Sequence, residues 1–295
     1  MPLVYIILIN YNGYKDTIEC IKSLREIHYK NYKIIIVDNA STNNSISYLN
    51  QSLEDCIIIE SKDNLGFAGG NNLGIEYALN NEADYIMLLN NDTVVEAHFL
   101  ENMLNKFTEG NKVGIVGCKI MYFPKNNIIW YGGGYIDWFK FIGEHYGMRE
   151  IDKGQCDEEK EIDFMTGCCM LIKKEVFQKT GFLSKDYFMY FEDVDFCVKV
   201  RDAGYKILYN PKAIIYHKVG LSSGGEESPF AIKWGTRNRL IFMRKYMSKV
   251  PKFNYMLSNI FFYITRIIRY IQYILKKDNQ RAISIIDGIK MYKEL

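Results

Sequence analysis

Apolar and polar positions alternate in blocks along the first third of the chain. Leu3 to Ile9 is a β-rich apolar run that ends in the polar turn Asn10-Tyr11-Asn12-Gly13. Asp16 is expected to cap a helix in which Ile18, Ile21, Leu24 and Ile27 recur at helical spacing. Tyr32 to Val37 reads as a second strand ending at Asp38-Asn39-Ala40-Ser41, followed by a short helix near Ser45 to Gln51. Cys56 to Ile59 reads as a third strand, and Asn64 to Asn72 opens a helix that runs through Leu79. Tyr85 to Leu89 is a fourth strand that runs straight into Asn90-Asn91-Asp92-Thr93, and Glu96 to Phe107 a further helix. Strand and helix periods thus alternate four times, which predicts an α/β fold: a Rossmann-like, mostly parallel central sheet flanked by helices.

The pattern then loosens. Val113 to Met121 suggests a strand pair or a strand plus a turn, and the glycines of residues 126–161 suggest a small antiparallel portion. Glu192-Asp193-Val194-Asp195 begins a helix through Asp202 that Gly204 closes. Lys206 to Tyr209 and Ala213 to Tyr216 read as two short strands around Asn210-Pro211, with His217 after the second. Phe253 to Lys277 has a helical period, with Ile260, Ile264, Ile267, Ile271 and Ile274 recurring at steps of three or four. Residues 1–240 are expected to form the main domain, and 241–295 a basic, amphipathic helical extension.

Composition and charge refine this. The chain has 295 residues, 48% of them hydrophobic, and a formal net charge of only +2. The charge is uneven: Lys233 to Arg281 carries 12 Lys and Arg against a single acid, Asp278. A basic C-terminal region on an acidic body points to phosphate groups or an anionic membrane surface. No nucleic-acid motif accompanies it, so nucleic acid is not expected as a partner. The seven cysteines lack zinc spacing and small-secreted-domain density, so they are read as buried thiols of a reducing, cytoplasmic compartment. No apolar stretch reaches spanning length. The 253–277 helix therefore suits the inner face of a membrane, with packing on the domain or a homodimer contact as its alternative uses.

Candidate chemistry gathers at strand ends. Asp92 ends a buried strand and could hold Mg²⁺ or Mn²⁺ against a phosphorylated substrate, or could simply form a turn. Asp38 could accept a hydrogen bond from a nucleotide base or close an Asx turn. Asn10 and Asn12 sit at the equivalent end of the first strand. Gly66, Gly69 and Gly70 at a helix start could admit a ligand to the backbone or allow close packing. The stretch fits neither the dinucleotide fingerprint nor a P-loop. Asp193 could act as general base with Glu192 beside it, while Asp195 could stabilise the helix start or bind acceptor. His217 could complete a metal site with Asp92. Arg237 could neutralise a departing diphosphate, and the glycine-rich loop before it could close over the donor.

The order of these stretches resembles the family-two inverting glycosyltransferases with a GT-A fold, especially their bacterial rhamnosyltransferase-like branch. Tyr11-Asn12, Val37 to Ser41, Asn64 to Asn71, Leu88 to Asp92, Phe191 to Asp195, His217 and Arg237-Asn238 carry the resemblance, over residues 1 to about 240. It implies that Asn12, Asp38, Asn64, Gly69, Asn91 and Arg237 bind a nucleotide-sugar donor, with Asp38 at the base, Asn91 near the ribose and Arg237 at the diphosphate. It also implies Asp92 and His217 as metal ligands, Asp193 as catalytic base, and Thr166, Gly167, Glu192 and Asp195 as acceptor-side or orienting residues. The activity implied is transfer of a hexosyl or rhamnosyl group, with inversion, from a UDP- or dTDP-sugar to a hydroxyl of a glycan or lipid-linked glycan in cell-surface polysaccharide synthesis. Many relatives have Asp-x-Asp where this chain has Asn90-Asn91-Asp92, a form common in that branch. A sugar-phosphate nucleotidyltransferase and a non-catalytic carbohydrate-binding protein are the alternatives.

Overall fold

A computed structural model describes residues 1–110, 112–219 and 227–295. The chain groups into two compact units. The first comprises Met1–Tyr135, His145–Phe188 and Glu192–Val219, and the second Ile136–Glu144, Met189–Phe191 and Gly220–Leu295. Position 240 falls inside a helix of the second unit. Residues 220–226, which include most of the glycine-rich loop expected to cover the donor, lie outside the described residues.

The first unit opens with β1 (Val4–Asn10), α1 (Tyr14–Arg25), β2 (Tyr32–Asp38), α2 (Ser45–Ser52), β3 (Ile57–Glu60), α3 (Gly66–Asn80) and β4 (Tyr85–Asn90). It continues with β5 (Thr93–Val95), α4 (Phe99–Asn105), a 3₁₀ turn at Lys106–Glu109, β6 (Val113–Tyr122) and β7 (Ile129–Tyr131). Next in the chain is the ribbon of β8 (Gly134–Asp137) and β9 (Ile142–His145), whose residues Ile136–Glu144 are grouped with the second unit. Then come β10 (Lys160–Glu161), β11 (Cys169–Lys173), α5 (Lys174–Thr180), α6 (Glu192–Asp202) and β12 (Lys206–His217).

Ile- and Val-rich β1 and β2 and Leu- and Met-containing β4 are buried on both faces, as a sheet covered by helices requires. The main sheet runs β10-β12-β6-β11-β4-β1-β2-β3, with β5 on β12 and β7 on β6. Parallel register pairs Asn10 with Asp38 and Ile9 with Asn90, so three strand ends share one edge. Strand β11 runs antiparallel between β4 and β6, with Cys169 opposite Leu89. Its beginning therefore meets the end of β4. The antiparallel pairing of β5 with β12 sets Thr93 opposite His217.

Helix α3 lies close to β1 because two of its residues lack a side chain. A Cβ on Gly74 would come within 2.7 Å of Ile7, and one on Gly70 within 3.2 Å of Ile9.

Several elements differ from the sequence expectation. β6 is one ten-residue strand, not a pair. β12 is one strand, not two: Asn210-Pro211 sits at a register shift. There Asn210 bonds the main chain of Lys212 and Asn102, and the missing proline N–H is tolerated at the irregularity. α4 is shorter than Glu96 to Phe107, ending in the 3₁₀ turn. Asp16 does not cap α1. It lies in the first turn and accepts from Lys218 Nζ at 2.7 Å.

The second unit contains α7 (Pro229–Lys245), α8 (Lys252–Leu275) and α9 (Asn279–Lys293). Ser228 caps α7 by accepting from Ala231 N–H at 3.1 Å. Ile232, Tyr273, Ala282 and Ile285 form a core between these helices. Trp138, Phe141 and Phe191 pack on Phe242 of α7.

Candidate active site

The edge where β1, β2 and β4 end is built from amides and hydroxyls. Asn10 Nδ2 donates to Asp38 Oδ1 at 2.7 Å and to Ser41 Oγ at 3.1 Å. Asp38 is buried, and its carboxylate also accepts from Ser41 Oγ at 2.6 Å and Ser41 N–H at 2.9 Å. The Asx-type closure weighed for Asp38 is thus present, and the carboxylate is held firmly in place. Asn12 takes a left-handed backbone, φ 58°. Its N–H donates to Ser41 Oγ, and its Oδ1 accepts from Thr42 and Asn43 N–H, tying the first two strand ends together. Asn91 Nδ2 donates to Thr17 Oγ1 at 2.8 Å, and Thr17 in turn donates to Asn10 Oδ1 at 3.0 Å.

Asn39 is a residue whose role sequence reasoning missed. Its side chain donates to Asn64 Oδ1 and Gly66 O, both at 3.0 Å, and accepts from Leu65 N–H at 2.9 Å. It thereby fixes the loop that opens α3. Gly66 has φ +68°, and a Cβ there would fall 2.0 Å from the Phe188 carbonyl oxygen, which already accepts from Phe67 N–H. Glycine is therefore required at that position. Gly69 is buried and faces Leu65, whose Cβ would lie 2.6 Å from an added Cβ. Asn64 is exposed at the loop.

Asp92 and His217 come together through the β5–β12 register. His217 Nε2 lies 3.1 Å from Asp92 Oδ1, and both residues are buried. The two side chains meet directly in this buried contact, and the other ring nitrogen, His217 Nδ1, is buried without a hydrogen-bond partner. Burial works against ionisation of Asp92. Neighbouring His217, the residue's own N–H and Lys218 outweigh it, so the carboxyl pKa is lowered. Asn90 Nδ2 stands 3.3 Å from the same His217 nitrogen, and the Trp130 ring packs edge-on to the imidazole at 4.7 Å. Lys218 anchors the end of β12 to α1 through Asp16 and Glu19. Trp130 and Lys218 carried no sequence signal, because each acts by position alone.

Asp193 is linked to this edge through the main chain. Asn90 N–H donates to Cys168 O at 2.9 Å, and one residue earlier Gly167 N–H donates to Asp193 Oδ2 at 2.9 Å. Val194 N–H donates to Asp193 Oδ1 at 2.8 Å. Burial raises the Asp193 pKa, and the two N–H donors only partly restrain it. Glu192 is buried with Oε2 unpartnered. Burial first, then the charges of Asp193 and Asp195, push its pKa well above the ordinary carboxyl range. Tyr187 OH donates to the fully buried Asp195 at 3.4 Å. Thr166 Oγ1 accepts from Cys168 N–H, and a Cβ on Gly167 would reach the Phe67 ring at 2.9 Å.

Arg237 belongs to the second unit, on α7. Its Nη1 donates to Asn238 Oδ1 at 2.7 Å, and its guanidinium lies 5.3 Å from the centre of the Trp234 ring. Asn238 Nδ2 donates to Met189 O and Tyr190 O, both at 2.9 Å. Tyr190 and Phe191 both have left-handed backbones, φ 73° and 74°. Among the described residues, His28, His98 and Glu101 also bring potential ligand atoms within 4.8 Å of one another. His28 lies between α1 and β2, and His98 and Glu101 at the start of α4. They are largely exposed and are closed by a His98–Glu101 ion pair, so they form no part of this site.

Comparison with known proteins agrees with this architecture. The chain is 26% identical over 248 residues to the low-salt glycan biosynthesis hexosyltransferase Agl10 of Haloferax volcanii, covering 83% of this chain and 76% of that protein. It is 22% identical over 258 residues to the dTDP-rhamnosyl transferase RfbF of Shigella flexneri, covering 82% and 80%. Among solved structures, the mannosyltransferase PcManGT from Pyrobaculum calidifontis, in complex with GDP-Man and Mn²⁺, superposes with TM-score 0.63 at 13% identity. That match covers 99% of this chain and 87% of the other. Elsewhere the chain spans less, 26% of one curated relative and 43% of one solved structure. The fold is of GT-A type. The model of glycosyl transferase family 2 matches residues 5–181, and the chain belongs to that family.

Proposed function

We propose that this chain is a divalent-metal-dependent, inverting transferase. It moves a sugar from a UDP- or dTDP-sugar to a hydroxyl of a glycan or lipid-linked glycan in cell-surface polysaccharide synthesis. Transfer is assigned to residues 1–240, and 241–295 to the helical extension. The observation that carries the reading is the linked pair of centres within one unit. Asp92 and His217 present a carboxylate oxygen and an imidazole nitrogen 3.1 Å apart, both buried. Asp193 is held nearby in chain terms, through Gly167 and Cys168, with its pKa raised.

Asp92 and His217 fit a divalent ion: the set is one hard oxygen and one imidazole nitrogen, brought within 3.1 Å of each other on two buried side chains. Bound there, Mg²⁺ or Mn²⁺ would neutralise charge on the diphosphate. The chain's own residues do the rest. Asp38, Asn12, Asn64, Gly69 and Asn91 line or brace the donor edge. Asp193 takes the proton from the acceptor hydroxyl, whose oxygen attacks the anomeric carbon as the nucleoside diphosphate leaves from the opposite face. A raised pKa favours this role because it moves the base toward working pH. Thr166, Gly167, Glu192 and Asp195 are assigned to the acceptor side or to orienting the base. The assignment of Arg237 to the leaving diphosphate rests on the sequence resemblance.

The test is calorimetric titration with UDP, dTDP and GDP, each with and without Mn²⁺, followed by turnover of the matching nucleotide sugars. Metal-dependent binding of one diphosphate, with turnover of its sugars, is expected. Glycan binding without turnover of any donor would favour the non-catalytic alternative, and pyrophosphate release from a nucleoside triphosphate the nucleotidyltransferase.

A further inference from the structure

Among the described residues, one long helix face is left uncovered. α8 is 24 residues of helix, about 36 Å long at 1.5 Å per residue. At 100° per residue its large aliphatic side chains fall within an arc of about 120°. Ile260, Ile264, Ile267, Ile268, Ile271 and Ile274 are each 42–58% exposed on that arc. Phe253 and Leu275 extend it at the two ends, 64% and 78% exposed. This face is not the helix's packing face. The opposite side holds the buried Ser258, Phe262 and Tyr273. Tyr273 packs with Ile232, Ala282 and Ile285, and the Arg239 guanidinium sits over the Phe262 ring at 5.2 Å. α8 therefore already has the partners its fold needs, and the isoleucine stripe is surplus to them. A contiguous apolar surface of this kind marks an interaction site.

Charge chooses the occupant. α8 contains Lys252, Arg266 and Arg269 and no acid, and Lys276 and Lys277 follow it directly. A second copy meeting this face would bring one all-basic helix against another. An anionic lipid surface offers both an apolar layer for the stripe and negative headgroups for the flanking cations. No described helix is long and apolar enough to cross a membrane, so the helix would lie along the surface. We propose that α8 docks the protein on an anionic bilayer, with the isoleucine stripe immersed at the headgroup boundary and Lys252, Lys276 and Lys277 at its rim. The proposal does not depend on the transferase reading, because it is tested without substrate.

The experiment is vesicle flotation of the full chain, with phosphatidylcholine vesicles and with vesicles also containing phosphatidylglycerol. Wild type is expected to float with the anionic vesicles, more weakly with the neutral ones, and to be released by salt. Ile267→Glu/Ile271→Glu places two charges on the exposed stripe, away from the core, and is expected to lower vesicle binding at least about tenfold. Lys276→Glu/Lys277→Glu keeps the stripe and is expected to lower anionic-vesicle binding to the neutral-vesicle level. Folding of each variant is checked by its far-UV circular dichroism. Wild type that stays in the soluble fraction with both vesicle types overturns the proposal. So does lipid-free dimerisation that the stripe variant abolishes, which would assign the face to a second copy.

Discussion

Replacing Asp193 with Asn separates chemistry from architecture. The carboxylate accepts two backbone N–H groups, from Gly167 at 2.9 Å and Val194 at 2.8 Å. An amide of the same shape has one oxygen and one NH₂, so one of those N–H groups must face a donor. Leaving it unpaired costs roughly 1–3 kcal/mol of stability. At about 2–4 °C per kcal/mol that is a Tm lower by about 2–12 °C, with the protein still folded at assay temperature. The chemical loss is larger. A positioned general base contributes about 10²–10⁴ in rate, or roughly 3–5 kcal/mol of barrier. The strand ends that form the donor edge keep their own hydrogen bonds, so diphosphate affinity should change little. The assay is nucleoside diphosphate release under saturating donor and acceptor, run beside calorimetric donor binding and urea unfolding. The pH profile adds a second check. The base works only when deprotonated, and its pKa is raised, so wild-type activity should fall with falling pH at values above the ordinary aspartate range. That acid limb should vanish from the residual activity of the variant. Turnover within about tenfold of wild type, from a variant shown to be folded and donor-competent, would remove Asp193 from the base role.

Other expectations follow from the same geometry. Asp92→Ala and His217→Ala should each abolish the Mn²⁺-dependent part of diphosphate binding, read by calorimetry, while leaving metal-independent binding in place. Glu192→Gln should report on the raised carboxyl pKa. The fold favours the neutral acid, a contribution complete below the unfolded-state pKa and lost as pH rises through the higher folded-state value. The amide stays neutral throughout, so the variant's stability relative to wild type, from urea melts, should grow as pH rises. Equal stability differences at low and high pH would contradict this. Gly66→Ala combines a left-handed backbone with a Cβ 2.0 Å from the Phe188 carbonyl oxygen, and the group in the way is main chain. Strain plus the weakened Phe67 N–H bond should cost about 2–4 kcal/mol in unfolding experiments.

Much of this arrangement was legible in the chain. Apolar runs marked β1, β2 and β4 because strands buried on both faces leave unbroken apolar sequence. Their polar ends announced the edge where Asn10, Asp38 and Asn91 gather. The approach of His217 to Asp92 was chemically reasonable from sequence, yet its geometry depends on a β5–β12 register between segments more than a hundred residues apart. The unity of β12 was hidden by Asn210-Pro211, which reads as a break but is absorbed as a register shift. Asn39 read as part of a local turn, whereas its partners, Asn64, Leu65 and Gly66, come from another loop. The antiparallel course of β11 was equally invisible, because nothing in a five-residue apolar strand states its direction.

That reversed strand bears on how freely the sequence can drift. The path from the Asn90-Asn91-Asp92 turn to Asp193 runs through Asn90 N–H, Cys168 O, the Gly167 peptide and its N–H. Every step up to the Asp193 carboxylate is main chain. Substituting Cys168 leaves these bonds untouched, so the spacing between the two centres does not depend on that side chain. The exception is Gly167, where any Cβ would press on Phe67 at 2.9 Å. Substitution can therefore change the side-chain chemistry around this span while the main-chain ruler between Asn90 and Asp193 keeps its length.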